Sequence, residues 1–211
     1  MTSAPTVLGA NRIVPVVVID DAGRAPDLAD ALAAGGIRCA EITLRTPAGL
    51  DAIRATAGRS DFVVGAGTVL TPDQVDAAAD AGAQFLVSPG LDDAVIARAA
   101  ERGIPIVPGV ATATEIQRAV SRGIHHLKLF PAGLVGGGAA VRAFAGPFPD
   151  VKFLPSGGVS VDNAAEYLAS PSVFAVSGSW MVPTAAIAAG DFDTVRALSA
   201  AATAAIESSA S

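Results

Sequence analysis

His126-Leu127-Lys128-Leu129-Phe130-Pro131 reads as a buried strand carrying a charge: Leu127 and Leu129 share one face, while His126, Lys128 and Phe130 share the other. Lysine is among the side chains least often buried, because its ammonium loses strong hydration on entering a protein interior. An interior lysine is therefore a candidate amine nucleophile, since desolvation favours the free base that attacks a carbonyl. A plainer reading is a strand-end cation whose stem is buried and whose head reaches water. The only other lysine, Lys152, lies in Asp150-Val151-Lys152-Phe153, at an expected strand entrance where solvation is ordinary.

On both sides of this stretch the pattern repeats. Short runs rich in Val, Ile and Leu alternate with Ala-rich segments of helical period, and Gly or Pro marks the joints. The expected strands are 13–19, 39–44, 62–65, 85–88, 104–107, 126–130, 152–154 and 173–176, each followed by a helix candidate. The segments beginning at Asp27, Thr71 and Thr112 carry helix-start signals, namely a capping side chain, an early Pro or an acid in the first turn. Gly35, Gly82, Gly103 and Gly123 are expected to close helices as left-handed caps. Eight β/α units predict an α/β protein, a (β/α)8 TIM barrel forming a single domain over residues 1–211, with its chemistry at the C-terminal ends of the strands. A flavodoxin-like sheet has fewer units.

Composition narrows the function. Hydrophobic residues make up 51% of the 211, ample for a core, yet no apolar run approaches the roughly 18 residues that a membrane span requires. A net charge of -6 without a basic run argues against nucleic acid as a partner, whose binding draws on Lys and Arg. The opening residues lack the charged and apolar regions of a secretory signal, and Cys39 is the only cysteine, so a cytoplasmic protein is expected. Cys39 itself reads as a small interior hydrophobe.

Strand alternation places Cys39, Glu41, Thr43 and Arg45 on one face, and Ala40, Ile42 and Leu44 on the other. If the apolar face meets the helices, Glu41 and Arg45 point inward with Lys128. A carboxylate, a guanidinium and an amine converging in one cavity suit a 2-oxo acid: Arg45 binds the carboxylate, Lys128 attacks the ketone and Glu41 moves protons. A buried ion network without chemistry is the alternative. Ser156-Gly157-Gly158 after the seventh strand and Ser177-Gly178-Ser179 after the eighth occupy the usual phosphate position of such barrels, where bare backbone amides can approach an anion. Gly136-Gly137-Gly138 reads instead as a flexible helix entrance, and Trp180 and Met181 as packing or subunit-contact residues rather than substrate stackers. No metal is expected: the only histidines, His125 and His126, are adjacent on a strand and face opposite ways, and Asp20-Asp21 and Asp92-Asp93 read as loop or helix-start charges.

These residues resemble those of the bacterial 2-dehydro-3-deoxy-phosphogluconate (KDPG) and 4-hydroxy-2-oxoglutarate (KHG) aldolases over nearly the whole chain. The resemblance lies in Val14-Pro15-Val16, Glu41-Ile42-Thr43-Leu44-Arg45-Thr46, Gly65-Ala66-Gly67-Thr68-Val69-Leu70, Ser88-Pro89-Gly90, Val107-Pro108-Gly109, Lys128-Leu129-Phe130-Pro131-Ala132, Pro155-Ser156-Gly157-Gly158 and Gly178-Ser179-Trp180. It implies a homotrimeric class I aldolase that needs no cofactor and acts on a phosphorylated 2-oxo sugar acid. In that scheme Lys128 forms the Schiff base, Glu41 is the acid/base, and Arg45 with Thr68 holds the substrate carboxylate. Pro89 and Phe130 wall the pyruvyl part beside Ser156, and Gly157, Gly158, Gly178 and Ser179 hold the phosphate.

Three departures are visible: Ser156 stands where many members have Thr, Ser177 where Gly is common, and Gly133-Leu134-Val135 follows the Phe-Pro-Ala motif unusually. Ser156 retains a hydroxyl and suits a gluconate-type substrate, whereas galactonate-type relatives more often carry an apolar residue there. A 2-dehydro-3-deoxy-6-phosphogalactonate aldolase, a noncovalent phosphate-binding barrel isomerase or synthase, and a barrel scaffold without turnover are the rival readings.

Overall fold

The computed structural model describes residues 11–207 together with Thr6 and Leu8. Strands and helices alternate along it: β1 (Ile13–Val17), a 3-10 turn (Ala22–Arg24), α1 (Ala25–Ala34), β2 (Cys39–Thr43), α2 (Gly49–Thr56), β3 (Val63–Gly67), α3 (Pro72–Asp80), β4 (Leu86–Val87), α4 (Asp93–Glu101), β5 (Ile106–Val107), β6 (Gly109–Val110) and α5 (Ala113–Val120). Then follow β7 (His126–Leu129), α6 (Gly137–Ala145), β8 (Lys152–Pro155), α7 (Ala164–Leu168), β9 (Val176–Gly178), α8 (Thr184–Ala189) and α9 (Phe192–Glu207).

Local chemistry accounts for the helix starts. Thr71 accepts from the Gln74 amide with Pro72 opening the first turn of α3, and Asp92 accepts from the amides of Ala94 and Val95 at α4. Thr112 and Glu115 form a reciprocal capping box at α5. At the other ends Gly82, Gly103 and Gly123 take the expected left-handed conformation. Gly35 does not: its φ is -84°, and Gly36, at +89°, makes the turn out of α1.

All strand pairings are parallel. They make two curled sheets, one of order β5-β4-β3-β2-β1-β9 and one of order β6-β7-β8. Pro108, which has no N–H to give, separates β5 from β6, although its carbonyl still accepts from the Lys128 amide. Isolated parallel bridges, Phe153 to Val173 and Ser156 to Ser177, tie β8 to the β9 region. The expected strand at 173–176 is thus displaced: Val173 makes only a bridge, and the ladder to β1 begins at Val176. The expected runs at 13–19 and 39–44 stop at Val17 and Thr43.

The register sorts the faces. Val16 pairs with Glu41, Glu41 with Gly65, Lys128 with Gly109 and Leu154, and Ser156 with Ser177, so these residues share the interior face. Leu127 and Leu129 take the opposite face and are fully buried under the helices. Phe85 fills the interior beside β3, where Gly65 makes room: a methyl at Gly65 would stand 2.5 Å from the ring. Gly65→Ala is therefore expected to overpack the interior and lower unfolding stability by about 1–3 kcal/mol, read as a lower urea midpoint at unchanged denaturant slope.

Candidate active site

Glu41 and Lys128 belong to different sheets, yet their side chains meet. Lys128 Nζ lies 3.4 Å from Glu41 Oε1, and the two side chains are 5% and 0% exposed. The contact spans the interior from β2 to β7, so the inward faces of the two sheets look at each other across it. At that length the pair is looser than an optimal charge-assisted hydrogen bond, near 2.7–2.9 Å. Glu41 Oε2 is buried and makes no hydrogen bond among the described residues. The arrangement sets a buried lysine nitrogen beside a carboxylate whose second oxygen remains open to a hydrogen-bond partner. Phe130, half-buried, sets its ring centroid 5.2 Å from Nζ.

Arg45 departs from the expected placement. β2 ends at Thr43, the chain turns, and Arg45 lies exposed beyond the strand rather than inside it. Its Nε donates to Thr68 Oγ1 at 3.2 Å, which brings it to the end of β3. A guanidinium at a solvated rim avoids the desolvation that an interior site would impose. Thr68 has a φ of +60°, in the left-handed region, at a cost of order 1–3 kcal/mol that the surrounding structure must hold. No sequence signal announces that conformation, because Thr is not a residue that favours it.

Pro89 is half-buried, and its carbonyl approaches Gly109 so closely that a methyl there would stand 2.1 Å away. Ser156 is buried at the end of β8, followed by Gly157 and Gly158 at φ +81° and +84°. The Gly157 carbonyl accepts from the Gly133 amide, and Asn163 donates to the Gly158 carbonyl, which pins this turn from both sides. Gly178 ends β9, and Ser179 is exposed just beyond it. Ser177 is fully buried on the interior face with its hydroxyl unpartnered among the described residues. Lys128, Glu41, Ser156 and Ser177 therefore lie inside, whereas Arg45, Gly158 and Ser179 stand at the rim on loops that follow the strands.

Other groups are excluded from this chemistry by position. His126 packs edge-on against Phe174, with ring centroids 5.3 Å apart, and burial pushes its pKa down. Among the described residues no group of His, Cys, Asp and Glu could hold a metal. A cavity of about 580 Å³ opens at the opposite ends of the strands beside Arg12, Arg38 and Phe62, away from Lys128. Its polar groups are largely spent on local bonds, such as Arg12 to the Leu168 carbonyl and the Arg38 amide to Asn11.

Three comparisons bear on this geometry. The family model for KDPG and KHG aldolases matches residues 5–198. A 2-dehydro-3-deoxy-phosphogluconate aldolase of Treponema pallidum is 51% identical over 189 residues, covering 89% of this chain and 90% of the relative. A KHG/KDPG aldolase of Escherichia coli is 45% identical over 198 residues, covering 93% of each. Among solved structures, the KDPG aldolase of Legionella pneumophila, with pyruvate captured at low pH as a covalent carbinolamine intermediate, is 40% identical and superposes with a TM-score of 0.90 over 93% of this chain and 96% of that one.

Cys39, fully buried, donates to the Ile13 carbonyl, and burial holds its thiol well above the usual range. It is expected to resist thiol reagents in the folded protein at pH 8 and to react stoichiometrically in guanidinium. Rapid labelling under native conditions, followed by mass spectrometry, would contradict this placement.

Proposed function

The chain belongs to the KDPG and KHG aldolase family, and from that premise we propose that it is a class I, Schiff-base aldolase. Its substrate in this reading is 2-dehydro-3-deoxy-6-phospho-D-gluconate, cleaved to pyruvate and D-glyceraldehyde 3-phosphate, with cleavage of 4-hydroxy-2-oxoglutarate to pyruvate and glyoxylate as a further activity. The observation that carries the reading is the buried approach of Lys128 to Glu41.

Neutral Lys128 attacks the C2 carbonyl, and the carbinolamine loses water to give an iminium. Glu41 takes the proton of the C4 hydroxyl as the C3–C4 bond breaks. The bonding pair flows into the iminium, leaving an enamine, and C4 departs as the aldehyde. Protonation at C3 and hydrolysis of the iminium then release pyruvate and restore the amine. Arg45, joined to Thr68, binds the C1 carboxylate, while Pro89 and Phe130 wall the pyruvyl part. Ser156, Gly157, Gly158, Gly178 and Ser179 receive the distal part and phosphate at the strand ends. The paired left-handed glycines favour this assignment, since they expose backbone that a side chain would cover. Ser156 favours the gluconate over the galactonate configuration.

The same proposal includes one closed (β/α)8 barrel and one catalytic domain. The bridges between β8 and the β9 region support it, as does the short break at Pro108. The homotrimer and the cytoplasmic location rest on family membership alone. Among the described residues, no helix is long and apolar enough to cross a membrane.

Reduction with borohydride in the presence of pyruvate is expected to leave a pyruvyl adduct on Lys128, located by peptide mass spectrometry. Folded protein without an adduct would favour the noncovalent phosphate-binding barrel. Lys128→Ala should abolish cleavage. Glu41→Gln should retain trapping but cleave roughly 10²-fold more slowly, the scale of a lost acid/base group; undiminished turnover in either variant would refute its assigned role.

A further inference from the structure

β3 carries two glycines on the interior face, Gly65 and Gly67, which pair with Glu41 and Thr43. Neither has a positive φ, so the path of the chain does not require glycine at either place. A strand glycine with ordinary backbone angles marks a close approach by something else. At Gly65 that neighbour is the Phe85 ring. At Gly67 it is Glu41: a methyl there would stand 2.2 Å from Oε1, 2.4 Å from Cγ and 2.7 Å from Cδ.

The carboxylate of Glu41 thus lies against bare backbone, one inward step along β3 from the residue that Glu41 pairs with. Its stem as well as its tip occupies the place of the absent side chain. Retreat is restricted, because Glu41 is fully buried and Oε1 is engaged by Lys128. Directly after Gly67 comes Thr68, which turns left-handed and meets Arg45. Two adjacent residues therefore locate both the proton-transfer group and the proposed carboxylate anchor.

We propose that Gly67 is a positioning residue for the reaction. Its missing side chain leaves the one space in which Glu41 can hold its carboxylate beside the Schiff-base lysine and face the C4 hydroxyl. This rests on the aldolase reading. It adds that a single methyl on β3, placed against Glu41, displaces the acid/base while leaving Lys128 in place. Misplacement of a catalytic group by about 1 Å costs on the order of 10²-fold in rate.

The test is a double-mutant cycle with Gly67→Ala and Glu41→Gln, reading kcat, KM, borohydride trapping of pyruvate and the thermal midpoint for each protein. Gly67→Ala is expected to trap pyruvate as the wild type does, to keep KM within a few-fold and to lose roughly 10- to 100-fold in kcat. In the Glu41→Gln background the same change should cost little more, because the function it disturbs is already gone. Full activity of Gly67→Ala, loss of trapping, or losses that multiply across the cycle would overturn the proposal. If Gly67→Ala does not fold, Glu41→Ala with Gly67→Ala decides: removing Cγ and the carboxylate clears the methyl and should restore folding, and failure to do so would overturn the role. A wild type that neither traps pyruvate nor cleaves would sink the aldolase reading and this role with it. An active wild type with a fully active Gly67→Ala would remove the role alone.

Discussion

The approach of Lys128 to Glu41 is the constraint around which the rest of the interior is arranged. Two opposite charges taken out of water are costly unless they meet, and the attraction in a low-dielectric interior offsets that cost only in part. Apolar side chains of similar volume would pack the same space at least as well. That the pair stands there at 3.4 Å, with one carboxylate oxygen unpartnered among the described residues, points to chemistry rather than stability as its reason.

Around the pair, small residues and strand breaks are distributed to suit it. Gly67 receives Glu41, Gly65 receives Phe85, and Gly109, next to Lys128 in the ladder, admits the Pro89 carbonyl. Each glycine weakens its own strand somewhat, and the loss is offset by what occupies the space. The surface follows a different logic. There, Asp76 is paired with Arg98 and Arg102 between α3 and α4, and Asp93 with Arg118 and Arg122 between α4 and α5. Such exposed pairs contribute little individually, and they keep those arginines on the helices.

The alternation of strand and helix was readable because apolar periodicity and capping residues are local properties. Thr71, Asp92 and Thr112 begin helices by bonding to amides two or three residues away, so the sequence carries the whole interaction. The parity of β2 and β7 likewise places Glu41 and Lys128 on the interior face, because side-chain alternation is local. Parity failed at Arg45, since it holds only while the strand continues, and β2 ends at Thr43. It was also silent on the shift of the last strand to Val176, where pairing with β1 decides the boundary.

By itself, then, the sequence determined the order of elements, the residues of each interior face and the chemical types available there, because side-chain alternation and helix capping act over a few residues. Tertiary structure decided that Glu41 and Lys128, 87 positions apart, touch. It also decided that Thr68 turns left-handed to meet Arg45, and that the place of a side chain at Gly67 is taken by a carboxylate. Those outcomes depend on how two sheets curl toward each other, and no local pattern encodes the distance between them.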